Sequence, residues 1–168
     1  RQQFPIPDPP AGFAWSPVEG CQNPQTAIRR AGDLMAASPR DPGGRDSWHE
    51  DRGAKLIRYM LHAAAADGAS MHEVAAWVHD PLSREPMSVL ASRKAWPGWD
   101  AKLAALLEGG RDGDFLSGLV GSASAALGWM DDPLMAAAAC PRPGDGVNLR
   151  QFIEDASGSI YIIGAARP

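Results

Sequence analysis

The residues of this 168-residue sequence with the most recognisable chemistry are four histidines, His49, His62, His72 and His79, and two cysteines, Cys21 and Cys140. A zinc protease would place a second histidine four residues after the first on one helix face, with a glutamate between them; His49-Glu50 has no such second histidine. His72 and His79 lie about two helical turns apart and could share a face, but no further ligands accompany them, so the histidines read as satisfied surface or boundary residues. Cys21 and Cys140 are far apart and in no C-x-x-C spacing, which points to reduced structural thiols rather than a disulfide or a metal pair. A G-x-S-x-G serine, a G-x-x-x-x-G-K-[ST] phosphate loop and a GxGxxG after a strand are all absent. The run Ser159-Ile160-Tyr161-Ile162-Ile163-Gly164 ends in glycine where a magnesium site would need acids. No catalytic residue, metal or cofactor is therefore assigned. The chain by itself is expected neither to bind ATP tightly nor to hydrolyse it, and it reads as a binding or structural domain.

Two groups of residues could meet a partner. Arg29 and Arg30 lie on or beside the polar face of a helix and read as a solvated face ahead of the alternative, a phosphate or acidic-partner contact. In Arg93-Lys94-Ala95-Trp96-Pro97-Gly98-Trp99, paired tryptophans flank a Pro-Gly turn beside two cations. Such a turn could stack on bases or dock a peptide, or both rings could pack on the core.

The elements that must carry these residues are predominantly helical. Ser47 and Glu50 stand at capping-box spacing, and Ala54, Ile57, Leu61 and Ala64 or Ala65 form an apolar stripe, predicting a long central helix from Trp48 to Asp67 with Gly68 as its stop. Asp51, Arg52, Lys55 and Arg58 are expected to face away. Asn23 caps a helix over Pro24–Ala37 with Ala27, Ile28, Ala31, Leu34 and Met35 inward. Ser70 and Glu73 open a short helix to His79, and further helices are expected over Pro86–Arg93 and Trp99–Glu108. Asp112–Met130 has Phe115, Leu116, Leu119, Ala123, Ala126, Leu127 and Met130 on one face and small residues, Gly118, Gly121, Ser122 and Ala125, elsewhere, which predicts close packing against the central helix. Asp132 and Pro133 open a helix to Ala139, Asn148 caps a last one, and Gly158–Gly164 reads as a short buried strand.

The expected fold is an all-α, bundle-like domain over residues 23–157. An extended Pro/Gly-rich connector, residues 1–22, precedes it with Phe13 and Trp15 as anchors, and a strand and tail, residues 158–168, follow. A hydrophobic share of 45% and a formal net charge of -4 suit a globular domain and argue against a nonspecific nucleic-acid binder. No apolar run approaches the roughly 18 residues of a membrane span.

Several of these pieces, taken in order, resemble the TraG/TraD-like coupling-protein ATPases of type IV secretion and conjugation, in their actinobacterial form. They are Trp15-Ser16-Pro17, Gly20-Cys21, Asn23-Pro24-Gln25-Thr26-Ala27, Trp48 at the start of an alanine-rich helix, Asp132-Pro133, and Gly158–Gly164. The resemblance implies that the chain is the all-α domain inserted in the motor domain, with both ends cut from a larger ATPase. The family's phosphate loop and acidic motif fall outside it. It further implies a position at the cytoplasmic face of the plasma membrane, below a membrane-anchored hexamer, and a role in recognising relaxosome proteins, secreted protein substrates or DNA. The isolated domain is expected to be a soluble monomer. Three functions remain open on this reading: a protein-recognition module, a direct DNA-binding module, or a structural spacer of the motor. Arg29, Arg30, Arg40, Arg45, Arg93 and Lys94 are the cations a DNA surface would need to gather.

Overall fold

A computed structural model of the chain describes residues 14–38, 47–109, 113–142 and 145–154. Its elements run α1 (Pro24–Ala37), α2 (Ser47–Asp67), α3 (Met71–His79), α4 (Arg84–Leu90), α5 (Trp99–Glu108), α6 (Gly113–Leu127), a 3-10 turn (Gly128–Asp131), α7 (Pro133–Ala139) and α8 (Leu149–Glu154). Among the described residues all regular structure is helical, and the domain is all-α. The expected terminal strand, most of the proline-rich start with Phe13, and Arg40 and Arg45 lie outside the described residues.

The centre is α2. From residue 56 to residue 65 every side chain except that of Arg58 is buried. The one-sided stripe read from Ile57 and Leu61 is therefore corrected to a helix enclosed nearly all round. The reason lies in its neighbours: α1, α3, α4, α5 and α6 all pack on it. Tyr59, Met60 and Ala63, off the expected stripe, are apolar enough to accept them. Lys55 pairs with Asp51 on the exposed side, an i, i+4 contact worth a few tenths of a kcal/mol, ~0.3.

Local chemistry sets most boundaries. The Asn23 side chain accepts from the Gln25 N–H at 2.9 Å, and that of Asp132 from Leu134 at 2.8 Å. Each cap is worth about 1 kcal/mol, and each is followed by a proline whose missing N–H costs nothing there. At α3 both halves of the Ser70–Glu73 capping box form. The Ser70 hydroxyl and backbone N–H donate to the Glu73 carboxylate and hold its pKa below the ordinary value. Gly68, at φ 77°, ends α2, and the Ala69 N–H reaches back to the Ala64 carbonyl at 2.9 Å. The side chains of the Ser47–Glu50 pair are outside the described set.

Other boundaries depart from expectation. α4 starts at Arg84, because Ser83 accepts from the Glu85 N–H and Pro86 then falls in the first turn, where amides have no helical partner. It ends at Leu90, short of Arg93. α6 gives way to the 3-10 turn at Gly128 instead of running to Met130. Ile28, read as part of the α1 stripe, is 40% exposed, since α1 buries only Ala27 and Ala31 fully. α7 packs chiefly on α3 and the 3-10 turn rather than on α2. Residues 14–22, read as connector, wind into turns, and Val18 and Cys21 join the core.

α6 does lie directly on α2, but the decisive small residue is on α2 itself. A Cβ at Gly53 would sit 2.7 Å from Ser122 Oγ, 3.2 Å from the Ala123 backbone nitrogen and 3.3 Å from Met35 Cε. The backbone nitrogen has no side-chain torsion by which to turn aside. Gly53→Val is expected to destabilise the fold by about 1 to 3 kcal/mol through overpacking. Gly121→Ala, with nothing within 4 Å of its new methyl, should be neutral or mildly stabilising by helix propensity. Denaturant midpoints of the two variants check this, and equal losses would show that the crossing is not at Gly53.

Candidate functional site

The tryptophan pair separates in the structure. Trp99 begins α5 and is 5% exposed, its ring edge-on to Tyr59 at 5.2 Å and against His62 at 4.7 Å. Trp96 is 57% exposed. Of the expected aromatic pair, only Trp96 is on the surface.

What holds Trp96 out is a buried histidine on α2. His62 is 1% exposed; its Nδ1 lies 2.7 Å from the Cys21 carbonyl oxygen, and its Nε2 accepts the Trp96 backbone N–H at 2.8 Å. A carbonyl can only accept and an amide can only donate, so the ring is neutral with its proton on Nδ1. This one side chain ties α2 to the turn before α1 and to the loop before α5. Ala95 is buried beside it, and Gly98, at φ 81°, lets the chain turn into α5. Trp96 is thus an exposed aromatic on a backbone fixed from beneath. The boundary reading of the histidines is corrected at His62. The signal was its position in Tyr59-Met60-Leu61-His62-Ala63-Ala64, a stretch with no other ionisable head group until Asp67 save the weakly acidic Tyr59. His72 and His79 are exposed, and His79 Nδ1 faces the Ser124 hydroxyl at 3.4 Å.

The cations are distributed and partly engaged. Arg30 donates to the Pro17 carbonyl at 2.8 Å and to that of Glu19, and its guanidinium lies 4.5 Å from the centre of the Trp15 ring. It holds the first turn in place. Arg29 and Arg93 are exposed, and Lys94 pairs with Asp67 at 3.2 Å across the surface. Arg58, expected on the outer face of α2, is half-buried; its guanidinium carbon is 4.8 Å from the Tyr59 ring centre and 5.9 Å from that of Trp99.

Both cysteines are free thiols, as read from their spacing. Cys21 donates to the Pro17 carbonyl at 3.3 Å. Burial pushes its thiol up from 9.0 to about 11, only partly offset by Arg30. Burial likewise raises Cys140, against the opposing pull of the His72 amide and the Ser70 hydroxyl. For Cys21 the folded chain keeps a proton that the unfolded chain releases above about 9. Its contribution is present at neutral pH and lost as pH rises from about 9 to about 11, by on the order of 3 kcal/mol. Alkylation followed by peptide mapping is expected to modify Cys140 well before Cys21 in the native protein. Equal rates would show that Cys21 is not sealed.

Among the described residues no three histidine, cysteine or acidic side chains converge as a metal site, and no helix is long and apolar enough to cross a membrane. The depressions are open. One of about 370 Å³ lies between Ser16, Gln22, Gly68, Arg142 and Asn148, and another of about 480 Å³ lies between His79, Leu82, Leu116 and Val120. Comparison with protein-family models, with curated proteins and with solved structures finds no match in any of the three.

Proposed function

We propose that the chain is a protein-recognition module, the all-α substrate-recognition domain of a TraG/TraD-like coupling protein. Its partners on this reading are relaxosome proteins or proteins bound for export, met at the cytoplasmic face of a membrane-anchored hexameric ATPase. The family attribution rests on the ordered sequence resemblance. The recognition role rests on one observation, Trp96 exposed on a loop whose backbone is pinned by buried His62. A loop backbone that is already fixed loses little freedom on binding, and tryptophan is prominent among residues that dominate interface energy. The engagement of Arg30 with backbone carbonyls and of Lys94 with Asp67, in a chain of net charge -4, supports this over direct DNA binding.

Pull-down of cognate relaxosome and effector proteins by the isolated chain tests the proposal. Trp96→Ala is expected to weaken capture at least about tenfold with an unchanged melting temperature. Titration with single- and double-stranded DNA at two salt concentrations runs alongside. Tight DNA binding that falls steeply with salt and is lost in Arg29→Ala would reverse the ranking.

A further inference from the structure

Among the described residues Arg58 has no acidic partner. Its Nη2 donates to the Tyr59 hydroxyl at 2.9 Å, and its Nε is buried with no partner. Neither the Lys55–Asp51 pair nor the Lys94–Asp67 pair involves Arg58. Arg58 is half-buried, so part of its side chain still meets solvent. The aromatic faces of Tyr59 and Trp99 hold the guanidinium in part. They leave its planar fork without the acceptor it fits best, a carboxylate.

This arginine belongs to the same cluster as Trp96. Arg58 and His62 stand one turn apart on α2, Trp99 touches both, and His62 carries the Trp96 amide. We infer that Arg58 and Trp96 form a docking point for an acidic segment of a partner polypeptide. The guanidinium takes an aspartate or glutamate carboxylate, and the exposed indole takes an apolar side chain beside it. The inference rests on the recognition reading above and names the chemistry of its partner. A nucleic-acid phosphate fits the fork as well, but a backbone of phosphates needs several cations, and Lys94, beside this loop, is already paired with Asp67.

Selection of a random peptide library on the whole chain, followed by anisotropy titration of the enriched peptides, tests it. Enriched peptides should carry an acid next to a bulky apolar residue. Replacing that acid by its amide should weaken binding to the wild-type chain about tenfold or more, a measurement that needs no protein variant. Arg58→Lys, which keeps the charge and loses the fork, should bind the acidic peptide about tenfold more weakly and the amide peptide equally well. Peptides that need Trp96 but not the acid overturn this inference and leave the recognition reading standing. Absence of any Trp96-dependent peptide overturns both. Binding of a single-stranded oligonucleotide that is lost in Arg58→Lys would replace the carboxylate by phosphate.

Discussion

Leu61→Asp is expected to leave the chain unfolded at room temperature. Leu61 is 0% exposed at the middle of α2, among Ile57, Met60 and Ala64, all equally sealed. The substitution removes a buried side chain worth about 2 to 5 kcal/mol and places a carboxylate among fully buried apolar side chains. The sum is comparable with the roughly 5 to 15 kcal/mol by which a domain of this size is stable. Protonation of the aspartate would reduce the penalty without restoring the packing. Leu61→Met keeps the volume and should cost less than about 1.5 kcal/mol. Leu82→Asp, at a position 65% exposed, should cost almost nothing. Circular dichroism and thermal melting separate the three, and a cooperative wild-type melt for Leu61→Asp would mean that the enclosed part of α2 has been misplaced.

The second large effect is expected at His62. His62→Leu has suitable size and apolarity for its surroundings, and a reading from burial alone would call it harmless. It would nevertheless leave the Cys21 carbonyl and the Trp96 N–H without the bonds that the ring makes to them. An orphaned buried group costs about 1 to 3 kcal/mol, so a loss of roughly 2 to 6 kcal/mol is expected for the two. His62→Gln, whose amide both donates and accepts, should recover part of it. The readout specific to this argument is hydrogen exchange at the Trp96 amide, which should accelerate in His62→Leu beyond the change in global stability. Slow exchange at Trp96 with a wild-type denaturation midpoint would show that the loop stands without the histidine.

How much was legible depended on the range of the interaction. Asn23-Pro24, Ser70 with Glu73, and Asp132-Pro133 announced the starts of α1, α3 and α7 because a cap is made within three residues. The bounds of α5 were legible as well, from Leu103, Leu106 and Leu107 between a Pro-Gly turn and the paired glycines Gly109 and Gly110, although of the three leucines only Leu103 is buried. α4 was displaced because Pro86 was read as a helix start, although a proline is tolerated later in the first turn. Ile28 was read as inward because periodicity marks which residues share a face, but not whether another helix covers it.

The charge and patterning of this chain by themselves determined that it is a helical domain organised around α2, with free thiols and without a recognisable phosphate loop. These follow from local propensities and spacings that need no knowledge of distant residues. The site was decided by tertiary structure alone. Trp96 and Trp99 are both tryptophans beside one Pro-Gly turn, yet one is buried on Tyr59 and the other faces outward, because His62, thirty-four residues before Trp96, holds the loop's amide. Arg29 and Arg30 are adjacent, yet only Arg30 meets the carbonyls of the preceding turn. Identical residue types part company where a long-range hydrogen bond can reach one and not the other, and no period or composition records that distance.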